Sequence, residues 1–290
     1  MIHIAGAFEK SHILIPYIIH HKPKDLCVYG GIPGCEWNGG RVNRLLYTQN
    51  SKDSRDSQNS TAVENSVYPE TRRIVEIYHK LKIPVFLTFS NYDIQINENV
   101  KYLDFLTQGD GVILVNEDFR KFLREKYPHL TLIYSITGHS NDYRDFDISL
   151  EDRYDLIVPR FENVFNPEFL AKADTSKYEI MLNDTCVFGC DKWRDHFRRI
   201  SEINKNSSLE ENMSTTELSK IQECWLKNFN PCKDSKHECM DMTTSAIQKC
   251  LRLGYKHFKI SGRENSDSDF TYDLNLYLSR LRDSKINTVV

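Results

Sequence analysis

Short apolar runs of strand length recur along the chain, each ended by Gly, Pro, Asn, Asp or Ser. They predict eight strands near residues 2–6, 25–29, 84–89, 111–115, 130–136, 155–159, 178–182 and 256–260. Between them the apolar positions shift to helical spacing, predicting helices near 8–20, 69–82, 98–107, 117–127, 149–153, 193–203, 243–253 and 270–282. Ile74, Ile77 and Tyr78 share one helical face, as do Trp193, Phe197 and Ile200. Asn166 before Pro167-Glu168-Phe169 has the chemistry of an N-cap, and Gly254 that of a helix stop.

Strictly alternating strands and helices imply parallel pairing through crossover helices, and eight such units have the arithmetic of a TIM-type (β/α)8 barrel spanning 1–290 as one domain. A doubly wound sheet is the rival, but no Gly-rich phosphate turn follows the first strand. Two stretches lie outside this rhythm. Residues 48–66 are polar and Ser/Asn-rich and read as a loop insertion, and residues 204–241 form an irregular, cysteine-containing segment.

On a barrel, residues that end strands gather at one rim, where barrel active sites lie. That rim would hold Cys35, Trp37, Asn38, Arg41, Ser90, Asn91, Asn116, His139, Arg160, Asn183, Asp184, Cys186, Ser261 and Arg263. Trp37, Asn38, Arg41 and Arg160 are the expected substrate contacts, with Asn183, Asp184 and Arg263 the expected reacting residues. In the last strand Phe258 and Ile260 should face the covering helices, which turns Lys259 inward. A buried lysine needs a partner, and Glu179 on the adjacent strand shares its inward parity, so a Glu179–Lys259 pair is expected.

Composition changes this picture little. The chain has 290 residues, 40 % hydrophobic and 27 % charged, and a net charge of −3 that supplies no global attraction to nucleic acid or anionic lipid. No apolar run is long enough to span a membrane, and Glu9 and Lys10 interrupt the N-terminal apolar stretch, so no signal peptide is read and a cytoplasmic location is expected. The eight cysteines should then be thiols or metal ligands.

Cys186 and Cys190, with three residues between them and read as a loop after Asn183-Asp184, are the strongest candidate ligands for zinc or an iron–sulfur centre. Cys35, Cys224, Cys232 and Cys239 have the freedom to join them, whereas Cys27 in a strand and Cys250 in a helix read as core thiols. His196 would complete a Cys-Cys-His zinc site, although a histidine beside Trp193 and Phe197 is also an ordinary packed residue. Arg41 and Arg263 have the fork geometry for a carboxylate or phosphate, and equally for structural ion pairs. P-loop, G-x-S-x-G, H-E-x-x-H and Rossmann signatures are missing, and Trp193 stands where a radical-SAM motif would place its third cysteine.

Three stretches together resemble the U32 peptidase-like family: Val28-Tyr29-Gly30-Gly31 leading to Cys35, the segment Met181 to Cys190, and Phe258 to Arg263. The resemblance implies a β/α barrel with an oxygen-sensitive 4Fe–4S cluster held by Cys35, Cys186, Cys190 and one of Cys224, Cys232 and Cys239, with Cys232 standing as the fourth. It further implies hydroxylation of an aromatic or nucleobase-like substrate, either a small molecule or RNA, with an electron-donor protein or a related U32-like protein as partner. The cysteine spacing departs from the common family pattern. Two other readings stand beside it: a zinc-dependent barrel hydrolase using Cys186, Cys190 and His196, and a non-catalytic barrel that binds a partner through its loops.

Overall fold

Each predicted strand forms. They are β1 (Ile2–Ala5), β2 (Leu26–Gly30), β3 (Val85–Phe89), β4 (Gly111–Leu114), β5 (Thr131–Tyr134), β6 (Leu156–Ile157), β7 (Glu179–Met181) and β10 (His257–Ile260). The computed structural model describes residues 1–33, 35–39, 60–205, 239–263 and 265–286. All eight pair in parallel in the order β6-β5-β4-β3-β2-β1-β10-β7. The two ends of that sheet meet through a parallel bridge between Ile157 and Tyr178, which turns it into a (β/α)8 barrel.

Helical crossovers explain why strands that neighbour one another in sequence also neighbour one another in space. Among them are Ser11–His21, Ser60–Lys80, Glu117–Lys126, Trp193–Lys205 and Thr244–Arg252, and helix Asp267–Ile286 follows the last strand. Asn116 and Asn166 cap their helices by accepting from the N–H groups of Phe119 and Glu168. Among the described residues, no helix is long and apolar enough to cross a membrane.

The strands are buried on both faces. Ile4, Val28, Leu87, Val112, Ile180 and Ile260 have one parity and are sealed from solvent under the helices. The opposite parity fills the barrel. Gly111 belongs to it, and a Cβ there would stand 2.4 Å from a Phe86 ring carbon and 2.3 Å from the Thr131 carbonyl oxygen. The missing side chain is the space the Phe86 ring occupies.

Three expectations are corrected. Helix Ser60–Lys80 begins inside the stretch read as a polar loop and runs through Pro69, so part of 48–66 is helical. Asn183-Asp184 is not a turn. Residues Asn183–Val187 form β8, which pairs antiparallel with β9 (Cys239–Asp241), and this places Cys186 in a strand. Composition misled there because Asn and Asp favour turns, while a partner strand distant in the chain supplied the ladder bonds that override that preference. The predicted helix at 98–107 is a 3₁₀ turn, Glu98–Tyr102.

Candidate functional site at the barrel mouth

Barrels of this kind are ordinarily packed inside with branched apolar side chains. Here the interior holds His3, Glu179 and Lys259, exposed 0 %, 0 % and 5 %. Their placement follows from strand register: His3 on β1 lies beside Lys259 on β10, and His257 of β10 lies beside Glu179 on β7. His3 Nδ1 hydrogen-bonds one oxygen of Glu179, and Lys259 Nζ lies 3.2 Å from the other. The expected Glu179–Lys259 pair is therefore present, with His3 as a third member that strand parity alone did not bring to notice. A polar residue at inward parity in an otherwise apolar strand is the signal that marks it, since Ile2, Ile4 and Ala5 surround it in sequence.

Burial pushes the Glu179 carboxyl up, but the fields and hydrogen bonds of His3 and Lys259 together overcome this and hold it down to about 2. Burial lowers the Lys259 ammonium from its ordinary value, opposed by Glu179 and assisted by the nearby charge of Arg263. The ammonium also lies 3.9 Å from the centre of the Tyr29 ring, a cation–π contact, and the Tyr29 hydroxyl donates to the Ile260 carbonyl at 3.2 Å. His3 Nε2 is buried and has no hydrogen-bond partner among the described residues.

Above this trio the barrel opens into a cavity of about 60 Å³ at the carboxyl ends of the strands. Lys259, Tyr29, Thr88, Ser135 and Met181 reach it from the strands or their ends, and Asp184 and Arg263 from the segments that follow. Thr88 Oγ1 lines it without a partner among the described residues. Arg263 is brought round by Gly262, whose φ of +121° is a conformation that L side chains rarely adopt. Its guanidinium lies 3.8 Å from a Glu9 oxygen.

The expected site residues divide. Asp184 and Arg263 line the cavity and are both nearly buried. Asp184 also accepts from the Cys186 N–H at 2.9 Å. Asn183 is a brace between strand ends: its Oδ1 accepts from the Ser261 N–H at 2.8 Å, and its carbonyl accepts from the Ser261 hydroxyl at 2.9 Å. Asn38 is buried and donates to the Ile32 carbonyl at 2.5 Å. Trp37, 1 % exposed, packs on Phe89 and Phe119 and donates its indole N–H to the Gln95 carbonyl at 3.0 Å, so it is a core residue.

Arg160 is likewise committed. It forks onto Glu162 at 2.8 and 3.2 Å, donates to the carbonyls of Ser140, Asn141 and Cys190, and lies 4.7 Å from the Trp193 ring centre. These bonds use the donors of a guanidinium and leave none for a substrate. Arg41 lies outside the described residues.

The thiols do not gather as expected. Among the described residues, no three His, Cys, Asp or Glu side chains come together to hold a metal ion. Cys35, Cys186 and Cys190 are all described, so these members of the implied cluster are not brought to one point, nor are Cys186, Cys190 and His196. Cys224 and Cys232 lie outside the described residues. Cys35 is buried, Cys186 and Cys190 are half-buried against the core, and His196 stacks on Phe197 at 5.3 Å. Burial raises the Cys190 thiol above its ordinary value. Cys27 and Cys250 are core thiols as expected, both pushed up to about 12 by burial.

No family model matches the chain, and no curated protein matches it. Among solved structures, the U32 peptidase Mk0906 is similar, with a TM-score of 0.51 and 10 % identity over 90 % of this chain and 92 % of that one. At that identity the likeness concerns the fold alone, a (β/α)8 barrel.

Proposed function

We propose that this chain is a U32-like barrel enzyme that binds a small anionic molecule, a carboxylate or a phosphate, in the cavity between Lys259 and Arg263. The observation that carries the reading is two cationic side chains directed into one cavity at the carboxyl end of the barrel, with Asp184 the single carboxylate among the described residues lining it. Glu179 lies below, bonded to His3 and Lys259, and Glu9 lies 3.8 Å from Arg263, so a bound anion would share two cations that each already have a carboxylate nearby. Barrel enzymes place their chemistry at this end, and the likeness to a U32 peptidase supports counting the chain among enzymes. The cavity volume of about 60 Å³ sets the scale at a handful of heavy atoms, well below the roughly 300–1,000 Å³ of pockets that enclose drug-sized ligands.

Hydroxylation through a 4Fe–4S cluster has no support from the placement of Cys35, Cys186 and Cys190 among the described residues. The zinc hydrolase lacks support for the same reason, since Cys186, Cys190 and His196 do not converge.

Thermal denaturation in the presence of lactate, acetate or inorganic phosphate, against neutral glycerol, tests the reading. A bound anion at a hundredfold excess over Kd stabilises the fold by about 2.7 kcal/mol, a rise in Tm of several degrees. Arg263→Gln is expected to remove most of that rise. Equal stabilisation by glycerol, or none by any anion, would overturn the proposal.

A further inference from the structure

The anionic-substrate reading leaves the amine at the bottom of the cavity without a task beyond charge, and its surroundings suit a covalent one. We infer that Lys259 forms an imine with the carbonyl carbon of a short 2-oxo acid whose carboxylate lies toward Arg263. This deepens the proposed function and rests on it.

Three features of the geometry converge on this step, and the effect of burial on the amine acts with them. Lys259 is a primary amine in a cavity, 5 % exposed, so water competes poorly for the site. Burial lowers its ammonium, which raises the share of free amine, the nucleophilic form. The Glu179 oxygen 3.2 Å away can hold the ammonium before reaction and the iminium after it, so the buried charge keeps its partner throughout. The Tyr29 ring face 3.9 Å from Nζ favours either cation.

Atoms and charge balance without any co-reactant. The free amine attacks the carbonyl carbon, a C–N bond forms, and the carbonyl oxygen takes up a proton to give a carbinolamine. The C–O bond then breaks and the oxygen leaves as water, so the ammonium and the oxo acid become an iminium carboxylate and one water, with no net change in protons or electrons. The cavity volume of about 60 Å³ restricts the substrate to a short chain.

Reductive trapping tests this on the whole protein. With pyruvate and cyanoborohydride, one adduct per chain is expected, mapped by peptide mass to Lys259 and formed at least about tenfold faster than with neutral propanal, a difference of about 1.4 kcal/mol. Lys259→Arg keeps a cation for Glu179 and should abolish the adduct, and Arg263→Gln should erase the preference for pyruvate. Modification of exposed Lys121 and Lys126 at the same rate as Lys259 in the wild-type protein would overturn the inference. The two readings fail separately. If lactate stabilises the protein but pyruvate leaves Lys259 unmodified, the imine is wrong and the anion site stands. If lactate does not stabilise it and pyruvate does not label Lys259, both fall.

Discussion

Glu179 is buried in the barrel interior, hydrogen-bonded to His3 and paired with the Lys259 ammonium, and its behaviour follows from that position. Removing one member of a buried ionic group leaves its partners uncompensated, which costs about 3–5 kcal/mol. Glu179→Gln is therefore expected to lower the unfolding free energy read from urea titration by a margin of that size near neutral pH. Replacing Glu179 and Lys259 together by Leu and Met should cost less than the single change, because no unmatched ammonium then remains. The pH dependence has a definite sign. The carboxyl ordinarily titrates at 4.5 and is held down to about 2 in the fold, so the folded state binds the proton less readily than the unfolded one. Its contribution is complete above about pH 4.5 and disappears as the pH falls toward 2. Urea midpoints over that interval should fall more steeply for the wild-type protein than for Glu179→Gln, and parallel curves would contradict the assignment.

At the scale of elements, the mouth depends on how β7 and β10 are joined beyond their ends. Asn183 does this by accepting from the Ser261 N–H and hydroxyl, while its own backbone enters the β8–β9 pairing. Asn183→Ala leaves a buried N–H without its acceptor and should destabilise the fold by about 1–3 kcal/mol. It should also speed amide exchange at Ser261 while leaving exchange in β2 and β3 unchanged. A merely surface-lining asparagine would do neither. The β8–β9 pair also explains why the loop reading of Cys186 failed. Local composition around Asn183 and Asp184 favours a turn, and the strand at Cys239–Asp241 that captures it lies far along the chain.

At the scale of the whole molecule, the ring has one weak seam. Most neighbouring strands pair over three or four residues, whereas β6 meets β7 through the single bridge between Ile157 and Tyr178. β6 itself pairs with β5 through two residues, Leu156 and Ile157. Local opening follows the least bonded region, so native-state hydrogen exchange should show amides of β6 and the start of β7 opening before those of β1, β2 and β3. Uniform protection around the ring would mean that side-chain packing, including the Tyr178 hydroxyl on Glu151 at 2.8 Å, closes the seam as firmly as a full ladder.

The apolar rhythm of the chain determined the eight strands, their parallel sense and the inward parity of Lys259 and Glu179, because periods of two and 3.6 are local properties of the backbone. It also marked Cys27 and Cys250 as core thiols, since each sits within an apolar element. Tertiary structure alone decided which strand-end side chains meet. Trp37 and Arg160 share the rim in sequence logic, yet one is packed among aromatic rings and the other is consumed by Glu162 and three carbonyls. Cys35, Cys186 and Cys190 leave the same end of the barrel without converging, while His3 and Glu179, 176 residues apart, share a hydrogen bond. Convergence depends on register and loop path around a closed ring, and those arise from pairing between distant segments that no local pattern encodes.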